Sequence, residues 1–310
     1  MKTIQSASFL DYFGLILLSA IWGSAFIAIE VALEDYPPLL VAFGRIVLAA
    51  VFLSFWVYMK RLSFPRSIKT WMLLIAIGFL NNAMPFYLIS WGQQYINAST
   101  ASIMLAVGPF VALILSHYVT QDEKFTLLKL IGVILGFLGV FILLGDDILN
   151  QRHDSLYGQI TMLIAVLGYI GSGLLIRKLS HIPTLICSSS MFITASFILL
   201  PFVLFLDFSN VDILSYAIFP IIYLAILPTA IASLIRIKLV QKAGVQFMSQ
   251  VAYLIPIFAI FWSWIFFSEF PKSTSILALF LVLSGLFIRK LKFKKVKTRK
   301  KPKANNSFIQ

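Results

Sequence analysis

Ser19-Ala20-Ile21-Trp22-Gly23 and Ile164-Ala165-Val166-Leu167-Gly168 are two copies of one stretch of sequence, and this repetition decides the fold. The offset between the copies is 145 residues, and it recurs in two further pairs, Pro38 with Pro183 and Ala50 with Ala195. Later pairs keep nearly the same offset: Gln94 with Gln241 and Pro109 with Pro256 (147), and Gly139 with Gly285 (146). The chain is therefore an internal duplication with small insertions.

The composition places most of the chain in lipid. Of its 310 residues 60% are hydrophobic and only 12% are charged, which is far too apolar for a soluble domain of this length. A helix needs about 20 apolar residues to cross the bilayer. Ten continuously apolar stretches, here called spans 1 to 10, meet this requirement: 12–33, 39–58, 70–91, 98–119, 126–145, 156–176, 184–206, 215–237, 245–267 and 273–290.

Basic residues predict the orientation of these spans. If the N-terminus is cytoplasmic, the outer loops carry only two basic residues, Arg152 and Lys272. The inner segments, with the span ends beside them, then carry all the others except Arg45: Lys2, Lys60, Arg61, Arg66, Lys69, Lys124, Lys129, Arg177, Lys178, Arg236, Lys238, Lys242 and the tail from Arg289 to Lys303. Because positively charged loops resist translocation, both termini are expected in the cytoplasm.

A duplicated half with an odd number of spans must insert upside down relative to its twin. The predicted fold is therefore an all-α integral membrane protein whose ten transmembrane helices form two inverted five-helix repeats. The predicted organisation is a cytoplasmic N-terminus (1–11), a first repeat (12–145), an outer linker (146–155), a second repeat (156–290) and a basic cytoplasmic tail (291–310). Inverted repeats of this kind are typical of proteins that carry solutes across membranes.

Several functional classes are excluded by the sequence. The net charge of +13 lies in membrane-flanking loops and in the tail, which predicts contact with anionic lipid headgroups rather than with nucleic acid. Neither a Gly-rich phosphate loop nor a set of clustered catalytic residues is present, and His117, His153 and His181 are too scattered to bind a metal. We therefore expect no cofactor, no metal and no enzymatic activity. Cys187 is the sole cysteine, so no disulfide framework exists.

Arg45 is the one basic residue placed well inside a predicted span, and Glu30 is its predicted partner. An arginine in the membrane costs about 2.5 to 3.5 kcal/mol unless it has a partner or a wet cavity. At 1.5 Å per residue the two side chains lie at similar depths in spans 1 and 2. Two interpretations stay open: the pair links the two helices, or Arg45 binds an anionic group in the pathway while Glu30 tunes it or carries a proton.

Other polar residues at mid-depth are pathway candidates. Asn81 and Asn82 point about 100° apart on an α-helix, so we expect one of them to reach the pathway. Pro109 and Pro256 occupy equivalent positions in the two halves and are predicted hinges. The full set of predicted pathway residues is Trp22, Glu30, Arg45, Asn81, Asn82, Ser102, Tyr169, Gln250 and Tyr253.

The chain resembles the drug/metabolite transporter superfamily, specifically its ten-span type with two EamA domains. The resemblance rests on four segments: Ile21 to Phe26, Phe43 to Ala50, Ala98 to Ser102 leading to Pro109, and Glu123 before Gly132 and Gly139. It covers nearly everything from Tyr12 to Ile288. It implies alternating access around a central cavity lined by spans 1, 3, 4, 6, 8 and 9, with spans 5 and 10 at the periphery.

The leading functional hypothesis is a secondary active transporter, an exporter or exchanger, of small organic metabolites such as amino acids in a bacterial inner membrane. The expected partners are a small organic solute, membrane lipids, and either protons or a counter-solute. The alternatives are transport of drug-like, nucleotide-type or lipid-linked solutes, an integral membrane enzyme, and a nontransporting membrane subunit. The sequence does not choose the substrate, the direction, the coupling ion or the oligomeric state.

Overall fold

A computed structural model describes residues 8–111, 127–149, 153–179, 181–209, 211–212, 215–243, 248 and 251–290. Over these residues the regular structure is helical throughout. The helices of the first half are α1 (Phe9–Ala32), α2 (Pro38–Met59), α3 (Ile68–Gly78), α4 (Met84–Gly92), α5 (Ala98–Leu105) and α6 (Leu127–Leu149). Those of the second half are α7 (His153–Ile176), α8 (Thr184–Leu204), α9 (Ile218–Leu224), α10 (Ala232–Ala243), α11 (Val251–Phe267) and α12 (Ser273–Lys290).

Two of the predicted spans are interrupted by π-helical segments. The first π segment (Phe79–Ala83) joins α3 to α4, and the second (Ala225–Ile231) joins α9 to α10. Proline explains both, because its ring clashes with the carbonyl four residues earlier and it has no N–H to donate. Pro85 acts in this way on the carbonyl of Asn81, and Pro228 acts on that of Leu224. The helix widens to accommodate the ring.

The helix ends follow local sequence signals. Ser8 and Asp11 form a capping box at the start of α1, and Pro38 opens α2 at a position where its missing N–H costs nothing. Asn97 caps α5 by accepting a hydrogen bond from the Thr100 N–H at 3.0 Å. At the other end of the first half, α6 continues to Leu149, so the first four residues of the predicted linker 146–155 are helical.

Packing between helices repeats in the two halves. α1 packs on α11, and its counterpart α7 packs on α5. α2 packs on the second π segment, and its counterpart α8 packs on the first. α2 also packs on α8, and α6 packs on α12, so these two pairs join equivalent helices. Contacts between the halves therefore have the exchange symmetry that the duplicated sequence predicts.

Within the described residues, six helical stretches are long and apolar enough to cross a membrane: Phe9–Ala32, Pro38–Met59, Ile68–Gly92, Ser155–Gly173, Thr184–Leu204 and Ile218–Arg236. Shorter apolar helices lie at Ala98–Val111, Leu130–Leu143, Leu254–Phe267 and Ser273–Gly285. Large apolar side chains such as Phe141, Phe197 and Phe280 are exposed around the bundle, as expected for a surface that faces lipid.

Candidate functional site

Arg45 lies on the inner face of α2 and is held by the second half of the chain. Its Nε and Nη2 atoms donate hydrogen bonds of 3.1 and 2.9 Å to the hydroxyl of Thr229, a residue of the second π segment. The guanidinium carbon also lies 3.9 Å from the centroid of the Phe86 ring, which is a cation–π contact. The arginine thus joins α2, α4 and the second π segment.

One nitrogen of Arg45 remains available. The side chain is only 5% exposed, and both hydrogen bonds use Nε and Nη2. Within the described residues Nη1 donates no hydrogen bond.

The predicted pairing of Arg45 with Glu30 is wrong. Within the described residues no ion pair joins them; Glu30 Oε2 instead accepts a hydrogen bond of 3.1 Å from the Ala98 N–H. Similar depth places two residues at one height but does not make them face each other. Glu30 faces the start of α5, whereas Arg45 faces the second π segment.

Trp22 also contacts the second π segment. Its Nε1–H donates a hydrogen bond of 3.1 Å to the carbonyl of Pro228. Two residues further along α1, the hydroxyl of Ser24 shares a hydrogen bond of 2.6 Å with the hydroxyl of Tyr223 in α9. α1 and α2 therefore bind the eighth span through polar groups, and each of these contacts crosses from one half of the chain to the other.

Asn81 and Asn82 lie in the first π segment and are hydrogen-bonded to each other. Asn81 Nδ2 donates to Asn82 Oδ1 at 3.0 Å, and the Ser172 hydroxyl donates to Asn81 Oδ1 at 2.9 Å. The expectation that the two amides point apart is wrong because it used the backbone angle alone, whereas the side chains turn toward each other. Asn82 is fully buried, and its Nδ2 has no partner among the described residues. Asn81 thus connects the first π segment to α7.

Tyr169 lies on α7, three residues before Ser172, whose hydroxyl donates a hydrogen bond of 2.8 Å to the Tyr169 carbonyl. Arg236 lies seven residues after Thr229, at the end of the apolar stretch Ile218–Arg236. The sequence likewise indicated a flanking basic residue at position 236.

The other predicted site residues are less informative. Ser102 is fully buried and donates to the carbonyl of Ser99 in its own helix at 2.7 Å. The fourth span is broken by a turn at Ala106 and Val107, just before Pro109, whereas α11 runs unbroken through Pro256. Gln250 lies outside the described residues, and Tyr253 is described only by its place in α11. The matched irregularities are the two π segments rather than the two predicted hinges.

A polar latch connects loops at the end of the bundle where α1 ends. Ser215 donates a hydrogen bond to the carboxylate of Asp35. Tyr36, which is buried, lies beside Asp35 and Asp212. Burial, with a smaller contribution from these two carboxylates, raises the pKa of Tyr36 above its ordinary value of 10.0. The latch joins the α1–α2 connection to the α8–α9 connection.

Sequence reasoning missed three residues of this site: Phe86, Ser172 and Thr229. A signal existed for Thr229, because the 147-residue offset aligns it with Asn82. For the others, residue type and spacing carry no comparable signal. Among the described residues no group of three or more His, Cys, Asp or Glu side chains is placed to hold a metal ion.

Comparison with known proteins agrees with this arrangement. The model of a family described as "EamA-like transporter family" matches the chain twice, at residues 10–145 and 156–289. The "Uncharacterized transporter YoaV" of Bacillus subtilis (strain 168) is 24% identical over 293 residues, which cover 92% of this chain and 98% of the relative. The "Probable amino-acid metabolite efflux pump" of Escherichia coli (strain K12) is 26% identical over 283 residues, 88% of this chain and 92% of the relative.

A solved crystal structure of another protein shares the fold. It superposes with a TM-score of 0.66 at 16% sequence identity, covering 92% of this chain and 98% of that one. The two family matches together span most of the duplicated sequence and lie on either side of the connection between α6 and α7. The chain belongs to the EamA-like transporter family.

Proposed function

We propose that the protein is a secondary active transporter, an exporter or exchanger, of small organic metabolites such as amino acids, and that it works by alternating access. The observation that carries the proposal is that polar contacts of both π segments cross between the halves. Trp22 and Arg45 bind the second segment, and Ser172 binds the first. Irregular helix lined by polar groups at mid-membrane is the usual setting of a solute site in such transporters.

As a family member with six helices able to span a bilayer, the protein is an integral membrane protein. Its relatives in Bacillus subtilis and Escherichia coli fit a location in the bacterial inner membrane. Relatives named as transporters favour transport over an enzymatic role, and the E. coli relative's name favours amino-acid metabolites as a first panel of solutes.

Within the proposed mechanism, the repeats 12–145 and 156–290 move relative to each other about the linker 146–155. The proposed points of bending are the two π segments, where the α-helical hydrogen-bond pattern is interrupted. Trp22, Asn82 and Tyr169 are proposed to line the pathway, together with Gln250 and Tyr253. Ser102 and Asn81 are proposed to hold helices together.

Transport is tested with purified full-length protein in liposomes. The liposomes are preloaded with one amino acid at a time, and counterflow of the radiolabelled solute is measured. We expect accumulation of at least one amino acid, strong loss in Arg45→Met, and normal flux in Lys60→Met, which changes an exposed cation in the turn after α2. Folded protein that moves none of the solutes would contradict the proposal.

Coupling is tested in the same liposomes. A pH gradient is imposed on liposomes that contain no internal solute. If transport is coupled to protons, the radiolabelled solute should accumulate inside these liposomes. If the protein is an exchanger, the radiolabelled solute should accumulate only in liposomes preloaded with solute.

The proposed cytoplasmic location of both termini has a separate test. Cys187 is the sole cysteine and is buried in α8, so background labelling is low. Glu34→Cys should react with a membrane-impermeant maleimide in whole cells, and Lys60→Cys should react only after lysis. The opposite pattern would reverse the orientation.

A further inference from the structure

We propose that the latch between Asp35 and Ser215, together with the buried Tyr36, is the gate that closes the solute pathway at the end of the bundle where α1 ends. This inference rests on the proposed function and adds the contact that must part when the pathway opens at that end. With both termini in the cytoplasm, as proposed, this is the outer end.

The latch joins the two halves of the chain through their loops. Ser215 donates a hydrogen bond to the carboxylate of Asp35, a residue 180 positions earlier in the chain. The same hydroxyl oxygen accepts a hydrogen bond of 3.2 Å from the Ala217 N–H, one residue before α9 begins. Ser215 therefore ties the start of α9 in the second half to the connection after α1 in the first.

Tyr36 is packed where the two halves meet. Its side chain is only 4% exposed, and it belongs to one buried apolar cluster with Ala32 of α1 and with Ala217 and Ile221 of the second half. The start of α2 approaches the same region, because a Cβ atom added at Gly44 would lie 2.9 Å from Ile221 Cγ2. A bulky side chain packed between the halves obstructs the passage of a solute at this end.

The equivalent positions in the second half are open. At the offset of 145 residues, Tyr36 and Pro38 correspond to His181 and Pro183 in the connection between α7 and α8. Tyr36 and Pro38 are buried, whereas His181 and Pro183 are exposed. In the predicted inverted arrangement, these two connections lie at opposite ends of the bundle.

The hydrogen bonds have the same asymmetry. The counterpart of the latch would join the connection between α2 and α3 (60–67) to residues 181–183, and within the described residues no hydrogen bond does so. Inverted repeats that alternate access exchange their conformations when the open end changes, so the two ends are expected to differ in any one state. The latch end is thus the closed end, and its opening requires the separation of Asp35 from Ser215.

Cross-linking tests whether the latch must part. Asp35→Cys and Ser215→Cys are combined with Cys187→Ala, so that no third thiol is present. Thiols on two side chains that touch are able to form a disulfide. We expect oxidation of the full-length protein in liposomes to lower counterflow to about a tenth or less, because the covalent bond removes the conformation open at this end. Chemical reduction should restore the flux, and neither single cysteine variant should respond to oxidation.

Two outcomes of this experiment would overturn the gate. Full counterflow after both thiols have been oxidised would show that the latch stays closed during transport. A folded pair variant that neither forms a disulfide nor reacts with a short bifunctional maleimide would show that Asp35 and Ser215 do not meet.

Accessibility tests the same gate without transport. Ala32→Cys, again with Cys187→Ala, places a thiol in the buried cluster that contains Tyr36, at a position that is fully buried. In purified full-length protein, Ser215→Ala should speed the reaction of this thiol with a water-soluble maleimide by about fivefold, the factor that corresponds to one ordinary hydrogen bond. Ala278→Cys in α12, which is equally buried, should react slowly with or without Ser215→Ala. Equal rates at Ala32→Cys with and without Ser215→Ala would contradict the gate.

The gate and the transport function fail separately. Absence of flux in wild type and in the reduced variants would remove the transport function, while the reaction rate of Ala32→Cys would still report whether the latch opens. Flux that continues through the cross-linked pair would leave the transport function and remove the gate.

Discussion

Arg45 and Thr229, 184 residues apart in the chain, are joined by two hydrogen bonds to a single hydroxyl oxygen. The bond ties α2 of the first half to the π segment of the second. The burial of an arginine among apolar helices costs less free energy for each of its N–H groups that has a hydrogen-bond acceptor. Thr229 is the acceptor for two of the five N–H groups of Arg45. Thr229 is therefore a positioning residue for the guanidinium.

Thr229→Val keeps the shape of the side chain and removes the acceptor. We expect a loss of about 1 to 3 kcal/mol of stability, since the bond involves a charged donor in a buried site. Thermal unfolding in detergent measures this loss. Thr229→Ser should behave like wild type, and Ser233→Ala on the same helix should change little because that hydroxyl bonds only to the nearby Ala230 carbonyl.

A double-mutant cycle separates the bond from other effects. If Arg45→Met and Thr229→Val act through one interaction, the double variant is more stable than the sum of the single losses predicts. Strict additivity would show that the two residues do not interact.

Gly23 allows α1 and α11 to touch. A Cβ atom at this position would lie 2.7 Å from Phe258 Cβ and 2.9 Å from the Ala259 backbone nitrogen. Because backbone cannot move aside, Gly23→Ala should force the helices apart and cost about 1 to 3 kcal/mol. Gly173→Ala is the matched control, since nothing lies within 4 Å of the added methyl group. A normal melting temperature for Gly23→Ala would contradict the close packing.

We expect the protein to lose stability at alkaline pH when Tyr36 in the latch ionises. Burial raises its pKa above 10.0, so the folded state binds the phenolic proton more tightly than the unfolded state. The resulting stabilisation is fully present below pH 10 and is lost as the pH rises through the raised pKa. The melting temperature of wild type should therefore fall relative to Tyr36→Phe above about pH 10 and run parallel to it between about pH 7 and 9.

The control for this titration is Tyr216→Phe, which changes an exposed tyrosine in the turn before α9. Its melting temperature should follow wild type over the whole range. Curves for wild type and Tyr36→Phe that stay parallel up to pH 11 would show that the fold does not raise the pKa of Tyr36.

Much of the fold could be predicted because the length of each continuously apolar stretch can be read directly from the sequence. The predicted spans 39–58 and 184–206 agree within two residues with α2 (Pro38–Met59) and α8 (Thr184–Leu204). The repeat also indicated which helices are equivalent. What the sequence lacks is the rotation of each helix about its axis, and this rotation decides that Arg45 faces Thr229 rather than Glu30.

The site was harder to predict for a second reason, which is the rotamer of each side chain. Asn81 and Asn82 leave the helix in different directions, yet their amides turn toward each other and form a hydrogen bond. Prolines near both π segments gave a usable signal for a distortion of the helix, but not for its type.

Glu30 is expected to act as a helix cap rather than as a proton carrier. Its carboxylate accepts the Ala98 N–H at 3.1 Å, and Asn97 accepts the Thr100 N–H, so two free donors at the start of α5 are satisfied. A negative charge at this end also favours the helix dipole by about 0.3 to 1 kcal/mol. Stability should therefore fall in the order wild type, Glu30→Gln, Glu30→Ala, because glutamine keeps an acceptor and alanine does not.

The pH dependence of transport decides between the two roles of Glu30. A cap has no part in proton movement, so Glu30→Gln should leave the pH profile of counterflow unchanged while lowering the melting temperature. Glu34→Gln, at an exposed position just after α1, should change neither quantity. A profile that becomes flat in Glu30→Gln but not in Glu34→Gln would instead identify Glu30 as the proton carrier, and it would make the bond to Ala98 one state of a side chain that moves during transport.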